Sequence, residues 1–577
     1  MNRHRGPFIV FVFLLLGVIV LLQYKLMRRN ERFFEAIDRL GETITNVHLL
    51  PDRDKSSTLS VGGYGDDEGD WLIWAFRVEP KTLNPISVDR DIYGRWITVP
   101  YIFEPLLDYD HDRIRLMPRL AETYDISADG LEITFHLRKG VYFSDGASLT
   151  ADDVVFTYET IMNPGVDAAN IANLYVDVDH VEKVDDRLVK FYMKRPYFKA
   201  LENLCFWDIG ILPRHVYAFD DAAKFNRHIS NPVGSGPYVF EKWEMGREVV
   251  LRRNENYWGA KPKIKKIIYR FIPNDIASVQ ALRAGNVDLV IPDPEQFAEL
   301  QKDEQFNQDF YCLSYWNPGA PFYYIGWNQD TRFFSDRLVR LAMTHVIDRD
   351  KIVTHLLRGN ARTITGPFYI YGPQNDPNIE PWPYDPARAA RLLDQAGWMD
   401  SDGDGLRDKD GNPFRFKFMY SSASTFYQRL AKLIKDEAAK VGIEVVPDPY
   451  EWSVVITRLN DRNFEAMVMG WGGDILEDPY QLWHSSQIGN RGSNYVGFRN
   501  NQADELITLA RRTMDDDQRN RLYHRLHRIL HEQQPYTFLY ARPTFRLLDR
   551  RFKNVIIHKL GLKYEEWYVP TELQKYK

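Results

Sequence analysis

The chain has 577 residues, which is too long for one ordinary hydrophobic core and predicts two or more domains. Its composition, 44% hydrophobic and 27% charged, is typical of a globular protein. The net charge is −6, but residues 1–32 carry six Lys or Arg against one Glu, so the remaining chain carries −11. A body this acidic argues against nucleic acid as a partner.

The first 70 residues predict a membrane attachment followed by a spacer. Residues 7–22 carry no charge and lie between basic flanks, which leave the orientation of a spanning helix open. The run ends without a small-residue cleavage site and without a Cys for lipid attachment. We therefore expect an uncleaved transmembrane anchor over residues 1–29 and a stalk over residues 30–70 that is rich in Ser, Gly and Asp.

In the first half of the folded body, apolar and alternating patterns predict strands at residues 71–76, 133–137, 189–193 and 249–251. Residues 150–161 predict a helix that starts at Thr150, because Asp152 and Asp153 follow this cap-like residue and the apolar residues share one face. The two cysteines, Cys205 and Cys312, form no metal-binding spacing. They could pair in an oxidising compartment, but we expect two unpaired, buried thiols.

The second half alternates strands and helices. Strands are predicted at residues 415–420, 443–446, 464–471 and 536–540, and helices at 426–441, 452–459 and 515–531. This order is typical of βαβ units with parallel strands. The strand that ends at Trp471 runs into Gly472, Gly473 and Asp474, with Glu477 and Asp478 close behind. A carboxylate is thereby placed at the carboxyl end of a strand, where ligands bind in open α/β sheets. A plain turn with a self-capping Asp is the alternative.

Two other polar clusters invite a metal-binding interpretation. Asp400, Asp402 and Asp404, with Asp408 following, resemble the first half of a calcium-binding loop, but position 12 is Gly411 rather than Glu. Either a structural Ca²⁺ or a solvated Asp/Gly hairpin is compatible with this pattern. His524, His527 and His531 are expected on the solvent face of a helix, without a metal. No nucleophile elbow, phosphate-binding loop or dinucleotide motif is present, so we expect no catalytic residues and no other cofactor.

A series of motifs in fixed order extends the argument. It comprises SADGLEITFHLRKGVYFSDG at 127–146, GSGPY at 234–238, RNENYW at 253–258, GNVDL at 285–289, YIGWN at 324–328 and YDPARAARLL at 384–393. Over residues 71–577 the chain thereby resembles the family 5 extracellular solute-binding proteins, the dipeptide- and oligopeptide-binding components of ABC importers. The resemblance implies a two-lobed, periplasmic-binding-protein-like α/β fold (type II, class C) with a hinge, here preceded by the N-terminal transmembrane helix. It implies a first lobe over residues 71–319 and 544–577, and a second lobe over residues 320–543.

The resemblance also implies the function. The chain would capture peptides on the outer side of the cytoplasmic membrane and deliver them to an ABC permease with its ATPase subunits. Asp474 matches the last residue of the family's Gly-Trp-x-x-Asp motif, whose carboxylate receives the α-ammonium of the peptide. Trp471, Gly473, Asn494 and Tyr495 are the expected neighbours of the ligand. A non-peptide solute such as a nickel chelate or an oligosaccharide, a ligand sensor and, with least support, a hydrolase remain as alternatives.

Overall fold

The computed structural model of the chain describes residues 67–577 apart from residues 88, 228–230, 490–491 and 577. The predicted anchor at residues 1–29 and most of the predicted stalk lie outside these residues. No helix within the described ranges has the length and apolar character needed to cross a membrane.

The first half of the body contributes to three sheets, of seven, four and two strands, the last formed by β2 and β3. Its strands are β1 (Trp71–Phe76), β2 (Leu107–Tyr109), β3 (Leu116–Pro118), β4 (Ala121–Ile126), β5 (Glu132–Leu137), β6 (Val178–Asp185), β7 (Leu188–Met193), β8 (Tyr238–Glu244), β9 (Glu248–Arg253), β10 (Lys266–Phe271), β11 (Leu289–Val290) and β12 (Phe310–Tyr315). The helices that matter for the site are α1 (Ile92–Thr98), α2 (Ala151–Met162), α3 (Ala200–Leu204), α4 (Asp275–Arg283) and α5 (Pro294–Leu300). A four-stranded sheet has the order β4-β5-β7-β6, and β1 lies inside a seven-stranded sheet. The strands expected at residues 71–76, 133–137, 189–193 and 249–251 are confirmed.

The predicted helix cap, strand alternation and free cysteines can each be compared with the contacts in the structure. Thr150 caps α2 as predicted, because its backbone N–H donates to Asp153 Oδ2 at 2.8 Å in a reciprocal capping box. Strand β5 alternates buried and half-buried residues, as a sheet with one covered face requires. Cys205 is buried, Cys312 is half-buried, and both are unpaired, so the expected free thiols are confirmed although Cys312 is less buried than expected.

The second half is built on one six-stranded mixed sheet. Its strands are β13 (Phe322–Trp327), β14 (Arg362–Thr363), β17 (Arg415–Ser421), β18 (Glu444–Tyr450), β19 (Ala466–Trp471) and β20 (Tyr536–Ala541), and two short strands, β15 (Asp408–Lys409) and β16 (Asn412–Pro413), form a separate hairpin. The longer helices are α6 (Arg337–Val346), α7 (Pro386–Gln395), α8 (Thr425–Ala439), α9 (Trp452–Asn460), α10 (Asn501–Arg512) and α11 (Asp516–Gln533). Strand β17 pairs in parallel with both β18 and β19, which confirms the βαβ prediction there, whereas β13 pairs antiparallel with β19 and β20.

The chain crosses twice between the two large sheets. Residues 316–321 lead from β12 to β13, and residues 542–543 lead from β20 to β21 (Thr544–Asp549), which returns to the seven-stranded sheet between β12 and β11. A last hairpin, β22 (Ile557–His558) with β23 (Gly561–Leu562), follows. We call the part on the seven- and four-stranded sheets the first lobe, and the part on the six-stranded sheet the second lobe. Two short, adjacent connections are the arrangement that permits hinge motion between lobes.

Candidate functional site

The site begins where strand β19 ends at Trp471 and the chain turns into Asp474. Gly473 fits at this turn only because it has no Cβ, which would lie 2.2 Å from the carbonyl oxygen of Pro318 and 2.9 Å from that of Ala320. Pro318 and Ala320 belong to the first crossing between the lobes. The glycine therefore allows the turn to pack directly against the hinge, and it brings Asp474 to the boundary between the lobes.

The Asp474 carboxylate is held by its own loop and faces the first lobe. Its Oδ1 accepts the backbone N–H of Ile475 at 2.8 Å, and its backbone N–H donates to Glu477 Oε1 at 2.9 Å. The side chain keeps 37% of its surface exposed, so solutes can reach it. Its Oδ2 forms an ion pair with the ammonium of Lys199, a residue of the first lobe.

Lys199 is the partner that the sequence did not reveal. Its side chain is only 7% exposed, and its ammonium also donates to the carbonyl of Leu476 at 2.9 Å and lies 3.3 Å from Glu202 Oε1. Lys199 and Asp474 are 275 positions apart in the chain, and no local pattern marks this lysine. The structure thus places a primary ammonium on the carboxylate that the resemblance assigns to the amine of a peptide.

Carboxyl groups outnumber the ammonium around this contact. Glu202 accepts the hydroxyl of Tyr109 at 2.7 Å, and burial raises the pKa of its carboxyl to about 7. Burial, followed by the charge of Asp474, raises the pKa of the Glu477 carboxyl to about 8. Lys199 thus contacts the carboxyl groups of Asp474 and Glu202, and Glu477 lies next to Asp474. A cation bound here would favour the charged forms of Glu202 and Glu477.

A second contact between the lobes lies beside the first. The hydroxyl of Tyr197 donates to Asp478 Oδ2 at 2.7 Å, and Arg511 Nε donates to the same oxygen at 2.9 Å. The backbone N–H of Phe198 donates to the carbonyl of Arg511 at 3.1 Å, and Asp177 Oδ2 lies 3.8 Å from the guanidinium of Arg511. Residues 197–199 of the first lobe thus lie between the turn at Asp474 and helix α10 of the second lobe.

The predicted aromatic neighbours stack on each other. The rings of Trp471 and Tyr495 are 5.8 Å apart at an angle of 14°, and Trp471 Nε1 lies 3.4 Å from the hydroxyl of Tyr536. Both rings are half-buried, so they present an aromatic surface next to the Asp474 turn. An apolar pocket adjoins the same turn, and its lining comprises Trp316, Pro318, Ala320, Phe322, Pro367, Phe368, Tyr369, Ile370, Gly473, Glu477 and Ala541.

Asn494 has a different position from the one expected of a ligand contact. It is fully buried, its Oδ1 accepts the backbone N–H of Phe498 at 2.9 Å, and its Nδ2 donates to the carbonyls of Phe498 and His484 at 2.9 and 3.3 Å. Its amide therefore holds the loop that carries Tyr495, and its polar atoms are engaged by the backbone.

The Asp-rich loop lies on the surface of the second lobe. Asp400, Asp402 and Asp404 are exposed, and one oxygen from each lies within 4.8 Å of the others, so these donors fit a hard cation such as Ca²⁺. Asp408 instead accepts a hydrogen bond from the Ser401 hydroxyl at 2.7 Å. Its carboxylate is therefore bonded to another residue of the same loop. Calcium binding by this loop stays a prediction.

The histidines of helix α11 do not all face solvent, and that prediction is wrong for His527. This side chain is fully buried, its Nδ1 accepts the backbone N–H of Asp376 at 3.1 Å, and its Nε2 lies 3.1 Å from the hydroxyl of Thr365. Burial lowers the pKa of His527 to about 4. It is therefore a neutral, structural residue that ties residues 365–376 to the helix.

Comparison with known proteins gives a consistent result. Residues 115–493 match the family model described as bacterial extracellular solute-binding proteins, family 5 middle. The oligopeptide-binding protein AppA of Bacillus subtilis (strain 168) is 33% identical, and the alignment covers 89% of this chain and 94% of AppA. The dipeptide-binding protein of Escherichia coli (strain K12) is 26% identical, over 86% of this chain and 94% of that protein.

Solved structures show the same architecture. The structure of AppA from Bacillus subtilis in complex with a nonapeptide superposes with a TM-score of 0.79 at 29% identity, covering 87% of this chain and 99% of AppA. NikZ from Campylobacter jejuni in complex with Ni(L-His) superposes with a TM-score of 0.76 at 26% identity, covering 87% of this chain and 99% of NikZ.

Proposed function

The chain belongs to the bacterial extracellular solute-binding proteins of family 5, and from this premise we propose that it binds peptides outside the cytoplasm for an ABC importer. Relatives named for oligopeptide and dipeptide binding support the ligand class. The proposed role is capture and delivery without chemical turnover. The peptide is therefore released uncleaved.

The observation that carries the proposal is the pairing of Asp474 with an ammonium group. Lys199 presents a primary ammonium to the Asp474 carboxylate, and the α-amino group of a peptide is the same kind of donor. The raised pKa values of Glu202 and Glu477 support an ammonium at this place, because a nearby positive charge favours the charged forms of both carboxyl groups. We infer that the amine of the ligand binds at Asp474, in competition with Lys199.

The aromatic surface next to Asp474 supports binding of the peptide body. Trp471 and Tyr495 offer ring faces that accept varied side chains, which suits a protein that binds peptides of many sequences. We expect the main chain of an extended peptide to form strand-like hydrogen bonds beside this turn, which Gly473 allows to pack against the hinge.

We further propose that residues 1–29 tether the body to the membrane. A tether replaces free diffusion with a high effective concentration near the permease. The full-length protein is expected to remain in the membrane fraction after a high-salt wash, and deletion of residues 1–29 is expected to release it. Full-length protein in the soluble fraction would contradict the tether and leave the ligand proposal unaffected.

Mass spectrometry of small molecules that co-purify with the full-length, detergent-solubilised protein tests the ligand class. Intact peptides with free amino termini are the expected result. A metal chelate of the kind bound by NikZ, or a carbohydrate, in place of peptides would refute the proposal, and recovery of only cleaved products would indicate a hydrolase.

A further inference from the structure

Among the described residues, ion pairs join the two lobes at two places. The first is the contact of Lys199 and Arg511 with acidic residues of the opposite lobe, described above. The second lies at Glu295, in the first turn of helix α5 of the first lobe. Glu295 Oε1 accepts a hydrogen bond from Arg358 Nη2 at 2.5 Å, and its Oε2 accepts one from Arg429 Nη1 at 2.6 Å. One carboxylate of the first lobe is thus held by two guanidinium groups of the second lobe.

The two contacts lie on opposite faces of the second-lobe sheet. Helix α8 shares a hydrophobic cluster with Phe418 of strand β17, whereas helix α10 shares another with the next residue, Met419. Successive residues of a strand point to opposite faces of the sheet, so these helices cover opposite faces. Arg429 belongs to α8, and Arg511 belongs to α10.

The same separation holds in the first lobe. Phe297 of helix α5 shares a cluster with Ile73 of strand β1, whereas Tyr197 shares another with the preceding strand residue, Leu72. Helix α5 and the segment at residues 197–199 therefore lie on opposite faces of the seven-stranded sheet. The lobes are joined by charged contacts on both sides of the molecule.

The local structure presents the charges of the second contact. Asp293 Oδ1 accepts the backbone N–H of Glu295 at 2.8 Å and thereby fixes the start of helix α5. Arg358 has a φ of 53°, a left-handed conformation that a non-glycine residue keeps only where its surroundings stabilise it. Hydrogen bonds from Arg429 and Arg358 lower the pKa of the Glu295 carboxyl, so it stays charged at neutral pH.

The two contacts respond differently to a ligand. The amine of the proposed ligand competes with Lys199 for Asp474, whereas Glu295 and its two arginines lie on the other face of the sheet. We propose that Glu295, Arg358 and Arg429, which we call the latch, hold the lobes closed before a ligand binds and stay engaged after the ligand has displaced Lys199. The latch thereby sets the fraction of closed molecules, and the apparent affinity for a ligand that binds the closed form scales with this fraction.

The distance between the lobes is measured by pulsed electron paramagnetic resonance. The sample is full-length protein in detergent, shown by mass spectrometry to be free of bound small molecules. Spin labels are attached at M245C and S453C, because these exposed residues follow β8 and β18 at the edges of the two large sheets where the crossings lie. C312S removes the half-buried thiol, and Cys205 is fully buried and protected from the label.

The wild-type protein is expected to show a short distance in most molecules. E295Q is expected to lower the ratio of closed to open molecules about three- to fivefold, as for a network of partly exposed ion pairs. The latch side chains are 27%, 52% and 44% exposed at Glu295, Arg358 and Arg429, so salt screens them. A rise from 0.05 to about 0.5 M NaCl is therefore expected to open the wild-type protein more than E295Q.

R358G separates closure from folding. Glycine is favoured at the φ of 53°, so this change removes a guanidinium while it relieves the backbone. We expect R358G to open the lobes as E295Q does, without a lower melting temperature. E444Q is the matched control, because Glu444 pairs with Arg415 at 2.5 Å within the second lobe and is 40% exposed. It is expected to leave the distance distribution unchanged.

The measurement uses no peptide, so its failure leaves the proposed peptide binding unaffected. Loss of the proposed function, if a non-peptide ligand is recovered, likewise leaves the latch in place. A long distance in most wild-type molecules would overturn the latch. Equal distance distributions in the wild-type protein, E295Q and R358G would overturn it as well, and so would an equal response of the wild-type protein and E295Q to salt.

Discussion

Replacement of Asp474 by Asn is the most direct test of the ammonium site. The change removes the charge but keeps the shape and the oxygen that accepts the N–H of Ile475 at 2.8 Å. Loss of one partner of a buried ligand ion pair costs about 2–5 kcal/mol. The 37% exposure of Asp474 weakens the pair through solvent screening, so we expect the lower end of this range. A loss of about 2 kcal/mol corresponds to a roughly 30-fold weaker affinity.

The affinity is measured by calorimetric titration for one peptide, with a free and with an N-acetylated amino terminus, on the wild-type protein and on D474N. The four affinities form a thermodynamic cycle. Acetylation and D474N remove the same interaction, so the two losses are expected to be far less than additive. D330N is the matched control, because Asp330 pairs with Arg462 and Arg499 in the second lobe with comparable exposure. Equal affinity of D474N and wild type for the free peptide, or fully additive losses, would refute the assignment of Asp474.

Three further outcomes are expected. K199M removes the internal competitor for Asp474 and is expected to strengthen peptide binding about tenfold while lowering the melting temperature, and weaker binding would show that Lys199 supports the ligand instead. The raised pKa values of Glu202, about 7, and Glu477, about 8, mean that the folded protein holds these protons more tightly than the unfolded chain, so their stabilising contribution is complete below about pH 4.5 and is lost as the pH rises through 7–8. The melting temperature is therefore expected to fall as the pH rises from about 4.5 to 8, and to fall less in E477Q. An equally steep fall in E477Q would contradict the role of Glu477. Addition of 1 mM CaCl₂ is expected to raise the melting temperature by about 1–2 °C, as for a site of about 10⁻⁴ M affinity, and to have no effect on D404N. An equal rise of the melting temperature in the wild-type protein and in D404N would show that calcium acts at a site other than this loop.

Local features of the fold followed from the order of residues. The apolar segment of β19 and the two glycines after Trp471 predicted a strand that ends in a turn at Asp474, because these preferences act between near neighbours. The start of helix α2 at Thr150 was readable for the same reason, since a capping box needs only four consecutive residues. The family motifs then supplied the architecture that local patterns do not contain.

Other features depend on chain segments that meet only after folding. The burial of His527 arises because residues 365–376 cover one side of helix α11, and the helix alone shows only a histidine at a polar position. The engagement of the Asn494 amide likewise depends on how the loop around Phe498 closes.

The sequence by itself determined the carboxylate at the end of strand β19, because the strand, the glycines and Asp474 are consecutive. Only the tertiary structure decided its partners. Lys199 approaches from the other lobe and lies 275 positions away in the chain. Ion pairs and pKa values depend on distances in space and on burial, and neither quantity is encoded in the spacing of residues along the chain.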